Sequence, residues 1–492
     1  MTESFTGRFS AGLAGYGERP CIEFAGRWFT GRDIADRAAA LSAALRAAGV
    51  ADDAPVGLVV RNRLPHAAAI AGFLAAGRAV SMIYSFQSPE AIAADVQALG
   101  LSAIVADEQD WTDPVRVAVA RAGSAGIAIA LQSPVVLAVA GLERRDPSRH
   151  HTPAEPGVAL HILTSGTTGP PKRTAIRTEV LARTVFSVTA GERSAEDAPP
   201  DFAYWQFGGI GVCQLIAGLY NGRRIAMLER FTVPDWVDIV RRHRIARAGV
   251  QPAVIRMLLD ADVPRADLAS LEFLISASGP LDPETRDEFE RRYAVPIRLA
   301  YGATEFAGSL CAWTPEMVRE FGARKRDSVG RALPDTQLRI VDPDTGAECA
   351  VGQQGLLEAK VAPIGPDWIR TTDIASIDAD GFVTLQGRAD GAINRGGFKV
   401  LPETVRRVLI SHPAVRDACV VGVPDPRLGQ VPFAAFEVAP GAQRPTDDEL
   451  ADLVRRALPV YTVPVAFAAV DALPRNPALK VSLPAVAALY RG

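Results

Sequence analysis

Apolar residues follow two alternating patterns along the first third of the chain. Helical spacing, with an apolar residue every three or four positions, predicts helices at 30–49, 64–76 and 88–100. Continuous apolar runs of strand length predict strands between them at 56–60, 79–84 and 103–105. Gly49 is placed to end the first helix, and Ser88 with Pro89 to begin the third. This alternation of strand and helix predicts parallel sheets wrapped by helices, an α/β fold.

Three later apolar runs end in small or polar residues. They occupy residues 158–163, 271–275 and 297–300. Open α/β sheets bind their ligands at the carboxyl ends of the strands. The pattern therefore predicts that the three strand ends share one crevice.

The first of these runs leads into a candidate phosphate loop. Residues 163–172 read Leu-Thr-Ser-Gly-Thr-Thr-Gly-Pro-Pro-Lys, and glycines beside hydroxyl groups and a cation present backbone N–H groups to phosphate. Because Pro170 and Pro171 prevent a helix from starting at Lys172, this is not the loop whose lysine opens a helix. Taken alone, the stretch is equally compatible with a solvated turn.

Composition and charge narrow the class of protein. The 492 residues are 48% hydrophobic and 22% charged, which is long enough for two or more domains. The chain carries 53 basic and 56 acidic residues, and its densest basic cluster, at 241–244, has the spacing of a solvated helix face. No nucleic-acid partner is therefore expected. Five widely spaced cysteines and the lack of a long apolar run predict a cytoplasmic protein without a membrane span.

The last hundred residues predict a second fold unit. Pro402 is placed to open a helix, and apolar runs at 415–421 and 431–438 predict strands. Thr446 and Glu449 have the spacing of a capping box, which begins a further helix. A small α+β domain is expected here.

Two motifs stand out in the middle of the chain, Thr-Ser-Gly-Thr-Thr-Gly-Pro-Pro-Lys at 164–172 and Tyr-Gly-Ala-Thr-Glu at 301–305. They resemble signatures of the AMP-forming adenylating enzymes, a family of acyl-CoA synthetases, peptide-synthetase adenylation domains and luciferases. Further matches follow in the family's order at 330–331, 371–373, 387–390, 396–397 and 474–480. Several ordered motifs are more specific than any one of them. The pattern is most similar to that of acyl- or aryl-CoA ligases.

The resemblance implies a division into domains. A large N-terminal domain, residues 1–387, would bind ATP and the acyl group, and a hinge at 388–394 would contain Asp390. A small mobile α+β domain, residues 395–492, would carry the catalytic Lys480. Gly396 and Gly397 would line a tunnel for a pantetheine thiol.

The resemblance also assigns roles in nucleotide binding and catalysis. Residues that would clamp the phosphates are Thr164, Ser165, Gly166, Thr167, Thr168, Gly169 and Lys172. Tyr301 would stack on adenine opposite Ser278, Gly279 and Pro280. The ribose hydroxyls would be held by Asp373 and Arg388. The catalytic residues would be Thr304 at the α-phosphate, Glu305 as the Mg²⁺ ligand and Lys480 between the substrate carboxylate and the α-phosphate.

The acyl pocket is expected in the loop after residue 203 and beside the adenine motif. Its candidate residues are Trp205, Gln206, Phe207, Gly208, Val250, Gly302, Ala303 and Ala307. Family enzymes for acetate close the pocket with a tryptophan after the motif tyrosine. Here that place is Gly302, followed by Ala303 and Ala307, which implies an open floor and a larger acid. Amino acids are expected to be poor substrates because a buried unpaired ammonium is costly. An aromatic or medium-chain acid remains, and Gln206 is a candidate partner for a ring substituent.

The sequence thus predicts an ATP- and Mg²⁺-dependent acid:CoA ligase that forms AMP. One alternative is a free-standing adenylation enzyme that loads the phosphopantetheine of a carrier protein. Another is a nucleotide-binding pseudoenzyme with a regulatory role, suggested by Leu479 and Asn394, which replace a glycine and a lysine common in the family. Whether the chain forms a homodimer stays open.

Overall fold

A computed structural model describes residues 4–130, 136–164, 172–189, 198–303, 306, 308–389, 391–396 and 398–491 of the chain. Up to residue 189 helices and strands alternate. In chain order they are α1 (Phe5–Ala14), β1 (Pro20–Phe24), β2 (Arg27–Thr30), α2 (Gly31–Ala47), β3 (Val56–Val60), α3 (Leu64–Ala75), β4 (Val80–Tyr84), α4 (Pro89–Leu99), β5 (Ala103–Asp107), α5 (Asp113–Ala122), β6 (Ala125–Ile129), β7 (Val136–Ala138), β8 (Val158–Thr164), β9 (Lys172–Arg177) and α6 (Thr178–Thr189).

The middle of the chain continues the alternation and then changes to strands alone. Its elements are β10 (Asp201–Ala203), α7 (Val212–Tyr220), β11 (Ile225–Met227), α8 (Val233–His243), β12 (Arg247–Val250), α9 (Pro252–Asp260), β13 (Phe273–Ser276), α10 (Pro283–Tyr293), β14 (Ile297–Leu299), β15 (Tyr301–Ala303), β16 (Gly308–Ala312), α11 (Pro315–Phe321), β17 (Arg331–Ala332), β18 (Thr336–Val341), β19 (Gly355–Val361), β20 (Ile369–Ile377) and β21 (Val383–Arg388).

The remaining elements build a separate C-terminal sheet with its helices. They are β22 (Ile393–Arg395), β23 (Phe398–Val400), α12 (Pro402–Ile410), β24 (Val415–Asp425), β25 (Gly429–Val438), α13 (Asp447–Ala457), β26 (Phe467–Val470) and α14 (Leu483–Ala487). The sheet order is β23-β22-β25-β24, and β26 pairs with β25. The chain leaves the preceding sheet at Arg388 and enters this one at Ile393.

Parallel strands form the centre of the largest sheet, whose order is β7-β6-β5-β3-β4-β8-β9. The neighbours from β6 to β8 are parallel, and the edge strands β7 and β9 are antiparallel to theirs. Every residue of β3, β4 and β5 is buried, which explains why these strands are continuous apolar runs: helices cover both faces of the sheet. The predicted fold class, with a large parallel-rich N-terminal domain and a C-terminal domain, is confirmed.

Smaller sheets complete the N-terminal domain. Strands β12, β13 and β14 form a parallel sheet, while β18 to β21 form an antiparallel one. A third sheet has the order β10-β11-β1-β2, and a fourth has the order β15-β16-β17. The candidate site lies where the β12–β14 sheet, the β15–β17 sheet and the β18–β21 sheet meet the C-terminal domain.

Local capping fixes several helix starts. Thr30 forms a capping box with Asp33 at the start of α2, and Ser88 accepts a hydrogen bond from the Ala91 N–H at the start of α4. Thr446 and Glu449 form the predicted capping box of α13. These polar pairs satisfy N–H groups that a helix end leaves without partners.

Candidate active site

The parallel strands β12, β13 and β14 end at one edge of their sheet. The N–H of Ala277 donates to the carbonyl of Val250 at 3.1 Å, and the N–H of Ala300 donates to the carbonyl of Ser276 at 3.0 Å. These bonds hold the loops that follow the strands beside one another. The crevice predicted from the strand ends is therefore present for the second and third of them.

The end of β8 reaches the same region through the aromatic loop. The N–H of Leu163 donates to the carbonyl of Gly208 at 3.1 Å, and the Trp205 indole donates to the carbonyl of Gly249 at 3.0 Å. Trp205 thus links the strand that precedes the candidate phosphate loop to the sheet of β12. All three predicted strand ends belong to one neighbourhood.

A cleft of about 1840 Å³ runs between the N-terminal domain and the C-terminal domain. This volume exceeds the 300–1,000 Å³ common for single small-ligand sites, so there is room for a nucleotide together with an acid. Its wall contains predicted site residues from both domains, among them Trp205, Ser278, Gly279, Pro280, Tyr301, Gly302, Ala303, Asp373, Arg388 and Lys480.

Tyr301, Asp373 and Arg388 form one polar group in this wall. The Tyr301 hydroxyl donates to Asp373 Oδ2 at 2.5 Å, and Asp373 lies directly opposite Arg388 on the neighbouring strand. Arg388 also donates to the Thr372 hydroxyl at 2.7 Å. Burial, together with the negative charge of Asp373, raises the pKa of the Tyr301 hydroxyl, which therefore stays protonated. An aromatic ring, a carboxylate and a guanidinium are thus offered to one ligand.

A tight turn presents Lys480. The Asn476 side-chain oxygen accepts from the N–H groups of Ala478 and Lys480, at 3.0 and 3.1 Å, and the Asn476 N–H donates to the Lys480 carbonyl at 2.8 Å. Burial lowers the pKa of the Lys480 amine, and the nearby charge of Arg388 lowers it further. Both cations border the same cleft, an arrangement suited to a bound anion.

The turn accommodates the side chain of Leu479, the residue that precedes Lys480. Its φ of +60° lies in the left-handed region that glycine adopts most easily. The side chain packs against the apolar cluster of the N-terminal domain that contains Val250, Leu274 and Trp236. Packing across the domain interface thus offsets the backbone strain, and the turn still delivers Lys480 to the cleft.

The wall of the cleft also contains residues that were not among the predicted site residues. They are Ile210, Cys213, Gln214, Gly249, Ile275, Ala277, Leu299 and Ala300. A Cβ at Gly249 would lie 3.1 Å from Gln214 Nε2 and 3.8 Å from the Trp205 ring, so these side chains meet above the strand. The side-chain oxygen of Gln214 is buried and has no hydrogen-bond partner among the described residues. A mostly apolar pocket thus contains one unsatisfied amide.

Four other residues predicted for the acyl pocket, three in the aromatic loop and one on β12, do not border the cleft formed by the described residues. Phe207 and Val250 are fully buried in apolar clusters, and a Cβ at Gly208 would collide with the Tyr84 ring. The Gln206 carbonyl accepts from Gly209 in a turn, and its half-buried side chain does not border the cleft formed by described residues. A role for these four residues in substrate binding stays a prediction; Gln214 is the glutamine that borders the cleft.

Gly302 has a packing role that its sequence position did not reveal. It borders the cleft, as expected, yet a Cβ built there would approach the Gly308 carbonyl to 2.2 Å. Glycine is therefore required by the close approach of β15 to β16, whatever the size of the acid. The open pocket floor predicted at Gly302, Ala303 and Ala307 stays a prediction.

Several predicted site residues lie outside the described part of the chain. They are Ser165, Gly166, Thr167, Thr168, Gly169, Thr304, Glu305, Ala307, Asp390 and Gly397; for Thr164 and Lys172 only the backbone is described. Gly396, the other glycine predicted for the thiol tunnel, has a φ of +58° and its N–H donates to the Leu428 carbonyl at 2.8 Å. Their predicted roles stay predictions.

The described residues were also considered as possible membrane spans and metal sites. None of the helices within them is both long and apolar enough to cross a membrane. Groups of three or more histidine, cysteine, aspartate or glutamate side chains that could hold a metal ion are also not found there. The predicted Mg²⁺ ligand, Glu305, falls outside the residues searched.

Comparison with protein families gives two matches that follow one another along the chain. The model of the AMP-binding enzyme family matches residues 9–360, and that of the AMP-binding enzyme C-terminal domain matches residues 405–480. The first match alone covers more than half of the chain.

Individual proteins show the same similarity. 4-Coumarate–CoA ligase 3 of Oryza sativa subsp. japonica is 28% identical over 96% of this chain and 89% of its own. The fatty acid–acyl-carrier-protein ligase ScoC of Streptomyces coeruleorubidus is 28% identical over 68% of each chain. Among solved structures, ATP-bound MatB from Rhodopseudomonas palustris superposes with a TM-score of 0.82 and 20% identity over 98% of each chain. This last likeness concerns the fold.

Proposed function

This chain belongs to the AMP-binding enzyme family, as the resemblance in its motifs predicts, and we propose that it is an acid:CoA ligase that activates an aromatic or medium-chain acid with ATP. Its enzyme class, an AMP-forming acid-thiol ligase, is that of its curated CoA-ligase relatives. The observation that carries the proposal is the meeting of Lys480 with Tyr301, Asp373 and Arg388 in one cleft beside an apolar pocket.

The proposed chemistry has two steps. A carboxylate oxygen of the acid attacks the α-phosphorus of ATP, pyrophosphate leaves, and an acyl-AMP forms. The CoA thiol then loses its proton to solvent and its sulfur attacks the acyl carbon; the bond between that carbon and the phosphate oxygen breaks, and AMP leaves with its electrons. Lys480, Thr304 and the phosphate loop at 164–172 would stabilise the charge that develops in the first step.

The roles of the other residues follow from their chemistry. Asp373 and Arg388 would hold the ribose hydroxyls, and Tyr301 would stack on adenine. Glu305 would bind Mg²⁺, which neutralises phosphate charge when bound. Asp390 would be the hinge that turns the C-terminal domain between the two steps, and Gly396 and Gly397 would line the thiol path.

The walls of the pocket support the proposed class of acid. Trp205, Ile210 and Ile275 are apolar and suit an aryl or alkyl group. The unsatisfied oxygen of Gln214 would accept a hydrogen bond from a hydroxyl substituent, because a buried acceptor gains most from its first partner. The activity named for the 4-coumarate relatives, whose acid is a hydroxylated aryl acid, supports this choice.

A carrier-protein thiol is the second candidate for the acceptor. The activity named for the ScoC relative favours it, since that protein is a ligase for an acyl carrier protein. Such an enzyme would form acyl-AMP but transfer it poorly to free CoA. A regulatory pseudoenzyme would release no pyrophosphate, and the accommodation of Leu479 described above weakens one of its two motivating features.

An assay of the purified protein with ATP, Mg²⁺ and a panel of acids distinguishes the CoA ligase, the carrier-protein ligase and the pseudoenzyme. The panel contains acetate, hexanoate, decanoate, cinnamate, 4-hydroxycinnamate and phenylalanine, with CoA or a phosphopantetheinylated carrier as acceptor. We expect acyl-CoA from the cinnamates or the medium chains. Substituting Gln214→Leu should lower kcat/KM for 4-hydroxycinnamate but not for cinnamate. Best turnover of acetate or phenylalanine, or thioester formation on the carrier alone, would contradict the proposal.

A further inference from the structure

A carboxylate of the N-terminal domain is paired with an arginine of the C-terminal domain. Asp282, the residue before α10, accepts from both Nη atoms of Arg406 on α12, at 2.8 and 3.0 Å. Both side chains are largely buried, with 9% of the Asp282 and 13% of the Arg406 side chain exposed. A bidentate pair fixes the relative orientation of its two groups as well as their distance.

The pair continues toward the cleft as a chain of charged groups. Arg406 also donates to Asp417 Oδ1 at 2.7 Å, and the other oxygen of Asp417 accepts from Arg475 at 2.9 Å. Arg475 in turn donates to the carbonyl of Leu479 at 3.2 Å. The series thus runs from the surface of the N-terminal domain to the residue before Lys480.

Each carboxylate in this series is in contact with an arginine of opposite charge. Burial alone would raise the pKa of the Asp417 carboxyl, but Arg406 and Arg256 overcome this effect and hold its pKa below the ordinary value. Removing one member would leave its buried partners with fewer compensating charges, which is more costly than losing an exposed ion pair. After loss of Asp282, for example, Arg406 would keep only Asp417 and Glu403 as acidic partners. The series is therefore expected to respond as a unit.

A second arginine anchors the same aspartate from its own domain. Arg256 of α9 donates to Asp282 Oδ2 at 2.9 Å and to the backbone carbonyl of Arg416 in the C-terminal domain at 2.5 Å. Asp282 is thus held by a residue of its own domain, and the same arginine also contacts the backbone of β24 in the C-terminal domain. The aspartate offers a fixed docking point.

We propose that Asp282 is a positioning residue that couples docking of the C-terminal domain to placement of Lys480, and so supports acyl-AMP formation selectively. The inference rests on the proposed function, in which Lys480 acts in the first step. The transfer of a finished acyl group from AMP to a thiol does not use Lys480, so that step does not need the series in the arrangement described here.

The test compares Asp282→Asn and Arg406→Gln with the parent in each half-reaction. Acid-dependent exchange of labelled pyrophosphate into ATP should fall by about tenfold or more in both variants, while thioester formation from pre-made acyl-AMP should change less than about twofold. The double variant should lose less than the two single losses combined, because both substitutions remove the Asp282–Arg406 pair. Asp282→Glu, which keeps the charge, should restore most of the exchange.

Asp287→Asn is the matched control. Asp287 lies on α10, which begins directly after Asp282, but it pairs with Arg326 of its own domain, so both half-reactions should be unchanged. Equal loss of the two half-reactions in Asp282→Asn, or unchanged pyrophosphate exchange, would overturn the inference.

Amide hydrogen exchange of the nucleotide-free protein separates this inference from the proposed function. The N–H groups of Ala478, Leu479 and Lys480 are hydrogen-bonded to Asn476 within the turn. Asp282→Asn should speed their exchange, and Asp287→Asn should not. Unchanged exchange in Asp282→Asn would overturn the coupling even in an active enzyme, whereas faster exchange in a protein inactive with every acid would overturn the proposed function alone.

Discussion

Leu479 combines a strained backbone with an apolar contact across the domain interface. Replacing it by glycine would relieve roughly 1 kcal/mol of left-handed strain but lose part of the ~1.5–3 kcal/mol that burying a leucine contributes. We therefore expect Leu479→Gly to slow pyrophosphate exchange several-fold with little effect on global stability in urea. Leu479→Asn, which tolerates the same φ without the packing, should behave alike. Faster exchange in the glycine variant would contradict the packing role.

The amine of Lys480 should give adenylation a characteristic pH dependence. Burial and Arg388 lower its pKa from the ordinary value of about 10.4, and the proposed role needs the protonated form. The cation is lost as pH rises through the lowered pKa. As pH rises, kcat/KM for pyrophosphate exchange should therefore begin to fall before the ordinary lysine pKa of about 10.4 is reached. Lys480→Arg, which cannot lose its proton, should lack this decline in any activity it retains. A parent profile that stays flat to about pH 10.5 would refute the assignment.

At the scale of residues, the sequence predicted the motif residues and part of the cleft wall, including Trp205, Gly302 and Ala303, but not Gln214. Tyr301, Asp373, Arg388 and Lys480 were identified from ordered motifs and lie around one cleft. Gln214 was missed because no motif contains it. It is nevertheless a polar residue in the otherwise apolar first half of the buried helix Val212–Tyr220, and that contrast was the available signal.

At the scale of elements, β12 would set the size of the proposed acyl pocket, because Gly249 carries no side chain on the face near Trp205. A Cβ there would meet the Gln214 amide at 3.1 Å and the edge of the Trp205 ring at 3.8 Å, so we expect the strand to form in the variants. Gly249→Leu is expected to lower kcat/KM for cinnamates or decanoate by about tenfold or more, since a few methylene groups in a pocket have effects of this size. Acetate should be spared, and Gly249→Ala should have a smaller effect. Undiminished turnover of bulky acids by the leucine variant would refute this wall.

Helix caps and apolar runs explain why many elements could be predicted. The ends of α2, α4 and α13 follow from polar caps that the sequence displays, and β3 to β5 from runs that are buried on both faces. β9 was not predicted, because its sequence, Lys-Arg-Thr-Ala-Ile-Arg, contains no apolar run of strand length. It becomes a strand through pairing with β8, a contact across the candidate phosphate loop that local sequence does not encode.

At the scale of the whole molecule, a cleft lies between the two domains. The proposed mechanism requires those domains to separate and dock again. Asp390→Pro is expected to stiffen the proposed hinge, so that thioester formation from pre-made acyl-AMP falls while pyrophosphate exchange persists. Lys480→Ala is expected to show the reverse. Quantifying both half-reactions in both variants checks this, and equal losses throughout would refute the division of labour.

The central claim is that this cleft joins a carboxylate to the α-phosphate of ATP. The most direct measurement is the exchange of labelled pyrophosphate into ATP by the purified protein, with and without each acid of the panel. The account predicts Mg²⁺-dependent exchange that requires an aromatic or medium-chain acid and disappears in Lys480→Ala. A folded protein that binds ATP but shows no acid-dependent exchange with any acid, or equal exchange in Lys480→Ala, would contradict it.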